Sequence, residues 1–140
     1  MPTFERFEEI EAWRRARDLC GEFYRESGKG AFAKDFGLRD QMRRASVSIM
    51  SNIAEGFERS GSGEFVQLLA VVKEFAGEVR NQLYIALDQI YLAREDVSRL
   101  SQSATDTARM VVGLINSLRK AGVNGTTYTI HHTRNLQHGT

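Results

Sequence analysis

Gln41, Arg44, Ser48, Ser51 and Glu55 recur at steps of three and four residues, a spacing that lines one edge of an α-helix with an amide, a guanidinium, two hydroxyls and a carboxylate. Hydrolytic chemistry on such an edge needs a base beside the serine. The three histidines of the chain, His131, His132 and His138, all lie at its far C-terminal end. No second carboxylate pairs with Glu55 by sequence, no glycine-rich phosphate loop occurs, and the Glu-x-x-His pair of di-iron bundles is missing. The histidines have neither a cysteine nor a carboxylate in their own segment to complete a ligand set. The expectation is therefore no catalytic residue, no metal and no cofactor. Asn52 falls beside an apolar seam and reads as a core amide that fixes register.

Arg39, Arg43, Arg44 and Arg59 form the densest basic group and are the candidates for contact with RNA or a nucleoprotein partner. The same arginines can instead pair with Asp35, Asp40, Glu55 and Glu58 on a solvated helix surface. Lys and Arg number 19 against 18 Asp and Glu, a formal charge of +1, which excludes a chain that grips any polyanion. Hydrophobics at 41% and charged residues at 26% exclude a disordered one. The single cysteine, Cys20, cannot close an internal disulfide. No run of about 18 uncharged apolar residues is present to span a membrane, and the acidic start Phe4-Glu5-Arg6-Phe7-Glu8-Glu9 is unlike a signal peptide. A cytoplasmic protein is expected.

The elements that position these residues are helices. Phe65, Leu69, Val72, Ala76, Val79, Leu83, Ala86 and Ile90 alternate steps of four and three, the seam of a bundle. Leu38, Met42, Ala45, Ile49 and Ile53 repeat it, as do Val97, Ala104, Ala108, Val111, Ile115 and Leu118, and more briefly Ala12, Ala16, Leu19 and Phe23. Four helices follow, over about 7–27, 35–58, 62–93 and 96–121, with one continuous helix over 62–121 as the alternative to the last two. The fold class is all-α, an antiparallel up-down four-helix bundle in one domain over 1–121. The segment 122–140 is expected to be a tail, flexible or pairing with another subunit. A second stripe, Val47, Met50, Ala54 and Phe57, lies roughly 135° from the first seam, and Leu68, Val71 and Phe75 are similarly displaced on the next helix. These seven are the candidate interface of a cyclic homo-oligomer.

Phe36-Gly37-Leu38-Arg39-Asp40-Gln41-Met42-Arg43-Arg44-Ala45-Ser46-Val47-Ser48-Ile49, followed by Ser51-Asn52-Ile53-Ala54-Glu55-Gly56, resembles the signature of the four-helix bundle proteins known as the 23S rRNA intervening-sequence or S23 family. Trp13 and Ala16 in the first helix, Tyr24 near its end and Glu64-Phe65 support the resemblance, which spans residues 4 to about 120. It implies a non-enzymatic helical protein. A related branch, the accessory variability proteins of diversity-generating retroelements, implies a ring of five bundles that binds nucleic acid and a protein partner. Within the signature, Gln41, Ser48, Asn52 and Glu55 are polar positions to which the resemblance attaches no role. The expected function is thus an oligomeric helical scaffold that binds RNA or a nucleoprotein. A protein-protein interaction module with no nucleic-acid role is the alternative.

Overall fold

With proline confined to position 2, the apolar periodicity runs uninterrupted through long stretches, and those stretches are helical. The computed structural model describes residues 3–59, 61–123 and 129–130. Its helices are α1 (Glu11–Ser27), α2 (Gly30–Lys34), α3 (Phe36–Glu58), α4 (Ser62–Asp88) and α5 (Arg94–Val123), with a 3-10 turn over Phe7–Glu9 ahead of α1. Two short strands, β1 (Thr3–Phe4) and β2 (Thr129–Ile130), pair in parallel, Thr3 opposite Thr129 and Phe4 opposite Ile130. The fold is all-helical apart from this pair.

Every residue of the α3 seam, from Leu38 to Ile53, is buried, and so is the α4 seam from Phe65 to Ala86. α3 packs along α4 and α4 along α5, while α1 closes on both α3 and α5. Residue numbers run in opposite senses where α1 meets α3 and where it meets α5. Cys20 meets Ser46 where Ser27 meets Arg43, and Arg15 meets Asp106 where Glu22 meets Arg99. The short α2 has no counterpart among the expected elements. It buries Phe32, whose ring stacks on Tyr91 at 5.1 Å between centroids.

The first helix begins at Glu11 rather than at about 7, after the 3-10 turn, and three further differences from expectation stand beside it. First, α4 ends at Asp88 rather than 93. The Ile90 N–H donates to the Leu87 carbonyl at 3.0 Å and the Tyr91 N–H to the Ala86 carbonyl at 2.9 Å, the paired bonds of a Schellman end. Ile90 takes the left-handed position at φ 61, where glycine is the usual residue, so the sequence carries no stop signal there. Ile90, counted in the seam by spacing, is consequently 88% exposed. Second, α5 starts at Arg94 and ends at Val123. Third, β2 is extended, but its strand partner is the start of the same chain. The rest of the tail, including His131, His132 and His138, lies outside the described residues.

Phe57 also departs from expectation. It follows Ile53 by four residues and so extends the first seam. It is fully buried, edge-on to Phe65 with ring centroids 6.4 Å apart, and is therefore core rather than interface. The neighbouring Gly56 allows this approach, since a Cβ built there would stand 2.7 Å from Phe65 Cδ1 and 3.3 Å from Leu68 Cβ. Helix propensity alone would make alanine better than glycine at position 56 by about 1 kcal/mol. The wedged, buried Phe65 ring reverses that sign. Gly56→Ala is expected to destabilise the fold by about 1–3 kcal/mol in chemical denaturation, and a more stable variant would contradict the packing described.

Candidate functional site

The sequence-predicted site residues lie on α3, α4 and the α3–α4 corner. Arg39 and Arg59 are twenty residues apart on or beside one helix, which separates them by about 30 Å, so the four arginines do not form one patch. Each of the first two has an internal task. Arg39 Nη1 donates to the Ala33 carbonyl at 3.0 Å and Nε to Asp40 Oδ1 at 2.9 Å, with the guanidinium 4.8 Å from the Phe36 ring centroid. Arg43 Nε donates to the buried Ser27 Oγ at 2.8 Å and Nη2 to the Tyr24 carbonyl at 3.3 Å, with the Tyr24 ring 4.6 Å away.

Tyr24 and Ser27 belong to the last turn of α1, whose carbonyls lack partners within the helix and carry its negative dipole end. Arg43 therefore caps α1 from α3. Arg59 forms ion pairs with Glu55 at 2.7 Å and Glu64 at 3.4 Å across the α3–α4 corner. The Glu55 hydrogen bond, above all, holds its guanidinium above the ordinary arginine value. Arg44 is exposed and makes no ion pair or hydrogen bond among the described residues.

The polar signature residues also serve their own helix. Asn52 Nδ2 donates to the Ser48 carbonyl one turn back at 2.8 Å, so the amide is half-buried and fixes no register between helices. Glu55 is committed to Arg59, and Gln41 is exposed. Among the described residues no histidine stands beside Ser48 or Ser51, and the three histidines lie outside those residues. No group of three or more histidine, cysteine, aspartate or glutamate side chains able to hold a metal gathers among the described residues.

Of the second stripe on α3, Val47 is 36% exposed while Met50 and Ala54 are half-buried, Met50 against the core. On α4, Leu68, Val71 and Phe75 are half-buried as well, Phe75 against the core and Leu68 beside Gly56. The bundle itself thus covers most of what spacing alone leaves bare.

Apolar exposure is concentrated elsewhere. Of the seven large hydrophobic side chains most open to solvent among the described residues, five are Tyr24, Phe36, Tyr84, Ile85 and Ile90. They lie where α1 and α4 finish and α3 begins, at one end of the bundle. This end is tightly tied. Asp35 Oδ1 caps α3 by accepting from the Leu38 N–H at 3.1 Å, and Asp35 Oδ2 accepts from Tyr91 Oη at 2.9 Å. Sequence spacing missed the group because Ile90 counts as seam by periodicity. The signal available was Phe36 as the first residue after an Asp cap, where a side chain has no preceding turn to pack on.

These placements define a class, a small all-helical protein whose signature polar residues hold its own helix ends and corners. The chain belongs to the 23S rRNA-intervening sequence protein family, whose profile matches residues 8–113. Among solved structures it is similar to a protein of unknown function from the S23 ribosomal protein family of Bacteroides thetaiotaomicron VPI-5482. The TM-score is 0.69 at 18% identity, over 75% of this chain and 95% of that one. No functionally curated protein matches the sequence. The family resemblance read from the α3 signature is thereby established, and no activity comes with it. No helix among the described residues is long and apolar enough to cross a membrane.

The two adjacent arginines of the signature should separate in their effects. Arg43→Gln is expected to lower stability by about 1.5–3 kcal/mol through loss of charged hydrogen bonds to the end of α1. Arg44→Gln should stay within about 0.5 kcal/mol of the parent in the same denaturation experiment. Equal effects would contradict the capping role of Arg43.

Proposed function

We propose that the chain is a non-enzymatic, antiparallel up-down helical bundle that acts as a self-associating scaffold. Copies meet through the apolar end of the bundle rather than through the Val47 stripe. Ile90 carries this reading. A β-branched residue at positive φ costs about 1–2 kcal/mol relative to glycine, and at 88% exposure its side chain returns almost nothing to the isolated fold. Strain retained at an exposed position points to a contact made outside the chain. Phe36, 63% exposed at the same end, supports it. So does a net charge of +1, which gives copies little reason to repel. A ring of five copies is what the family resemblance adds.

Binding to RNA or a nucleoprotein is the second reading, and the exposed, unpaired Arg44 favours it. Arg39, Arg43 and Arg59 weigh against it, since their charges are already engaged.

Light scattering on dilute protein is expected to give a multiple of 15.8 kDa. Ile90→Gly combined with Phe36→Ser should give a folded monomer, and Ile90→Gly alone should raise the monomer's stability by about 1 kcal/mol. A parent mass of 15.8 kDa, or full assembly retained in the double variant, would overturn the proposal. Assembly should change little between 50 and 200 mM salt, whereas RNA binding through arginines would fade steeply over that range.

A further inference from the structure

Two polar grooves flank α5, and they differ in charge. The α1–α5 groove, about 490 Å³, interleaves Arg15 and Arg99 with Asp18, Glu22 and Asp106. Its cations are spoken for, Arg15 by Asp106 at 3.8 Å and Arg99 by Glu22 and Asp96. The α4–α5 groove, about 430 Å³, has Arg80 and Arg94 on its walls and no carboxylate among the residues that line it. Neither guanidinium has an ion pair among the described residues. The sequence shows why, because no acidic residue stands three or four positions from Arg80 or from Arg94 along its helix.

The donors in this groove are unspent too. Ser98, Ser101 and Thr105 line it, and none of their hydroxyls is hydrogen-bonded to another residue among those described. Thr107, one turn away on another face, instead donates to the Ser103 carbonyl at 2.9 Å. Tyr84 stands in the same wall, 64% exposed, with Leu87 and the buried Val97 nearby as apolar floor. Arg80 precedes Tyr84 by one turn of α4, about 6 Å along the axis. Arg94 enters at the start of α5, past the other side of the ring. An exposed aromatic ring therefore shares one groove with two unpaired cations and three free hydroxyls.

We infer that the α4–α5 groove binds a nucleoside carrying phosphate on both sides of its ring, with the base on Tyr84 and the phosphates on Arg80 and Arg94. Guanidinium forks suit phosphate oxygens, an aromatic ring accepts any base by its face, and the groove is of ligand size. Tyr84 also belongs to the exposed apolar group at this end, but neither Phe36 nor Ile90 lines the groove, so binding measured on the Ile90→Gly, Phe36→Ser variant separates this inference from self-association.

Isothermal titration with adenosine 3′,5′-bisphosphate is the test, with adenosine and pyrophosphate as the probes that lack one half of the ligand. The bisphosphate is expected to saturate one site per chain, and each half-ligand to bind at least about tenfold more weakly. Arg80→Gln and Arg94→Gln should each weaken the bisphosphate about tenfold. Tyr84→Ala should do the same while Tyr84→Phe retains binding, since stacking needs the ring and not the hydroxyl. Circular dichroism unchanged across the set excludes loss of fold. A tetra-adenylate that binds tenfold more tightly than the bisphosphate would assign the groove to one link of a strand, and equal affinity would assign it to a free nucleotide. Failure to saturate by about 1 mM, pyrophosphate as tight as the bisphosphate, or indifference to both arginine variants would overturn the inference.

Discussion

One carboxylate joins the parts of this fold that the apolar seams leave unjoined. Asp35 caps α3 through Oδ1 and receives the Tyr91 hydroxyl through Oδ2. It thereby locks the start of α3 to the link between α4 and α5. Apolar seams hold helices side by side but are non-directional, so they fix neither where a helix ends nor how a link leaves it. Directional bonds at this end supply both. The Tyr91 ring lies on Phe32, Arg39 reaches the Ala33 carbonyl, and Arg43 reaches the end of α1, so three helices and the α4–α5 link are tied within one layer. What projects from that layer, Ile90 and Phe36, is presented on a rigid base.

The same layer explains why the family signature is rich in charge without being a polyanion site. Arg39 and Arg43 within it brace helix ends, and Arg59 just past it braces a corner, while Arg44 alone of the four is unpaired among the described residues. Arg43 stands at a negative helix end, and Arg59 spans Glu55 and Glu64. The exposed Arg59 pairs are screened by solvent, so their value lies in positioning the α3–α4 corner. Two of the unpaired cations, Arg80 and Arg94, are outside the signature and line a groove that holds no carboxylate.

Much of the helical architecture was legible from spacing, because burial on one face imposes a period that few other constraints imitate. Leu38 to Ile53 and Phe65 to Ala86 are all buried as that period requires. Two positions depart from the expected pattern for different reasons: Phe57 lies four residues past Ile53 and continues the first seam, whereas Ile90 leaves the seam because α4 ends before it. A Schellman end with isoleucine in the glycine position leaves no mark in the sequence. The tasks of Arg39 and Arg43 were equally hidden, because their partners are backbone carbonyls and Ser27, which no charge pattern reveals. Arg80 and Arg94 are among several cations with no acidic residue one turn away, so spacing alone does not single them out, and only the fold brings the two into one groove.

The Asp35–Tyr91 tie has a pH signature. The hydrogen bond to the Asp35 carboxylate, followed by burial, raises the Tyr91 phenol above its ordinary value of about 10. A group whose pKa is raised on folding stabilises the fold fully below the unfolded value and loses that contribution as pH climbs through the folded one. A phenolate can no longer donate to Asp35 and is repelled by it. The decisive measurement is chemical denaturation of the parent and of Tyr91→Phe from pH 8 upward. The stability lead of the parent should hold through pH 9 and shrink above pH 10, with the two curves converging once Tyr91 ionises. A lead that is absent at pH 8, or that persists unchanged in strong alkali, would contradict the tie on which this end of the bundle depends.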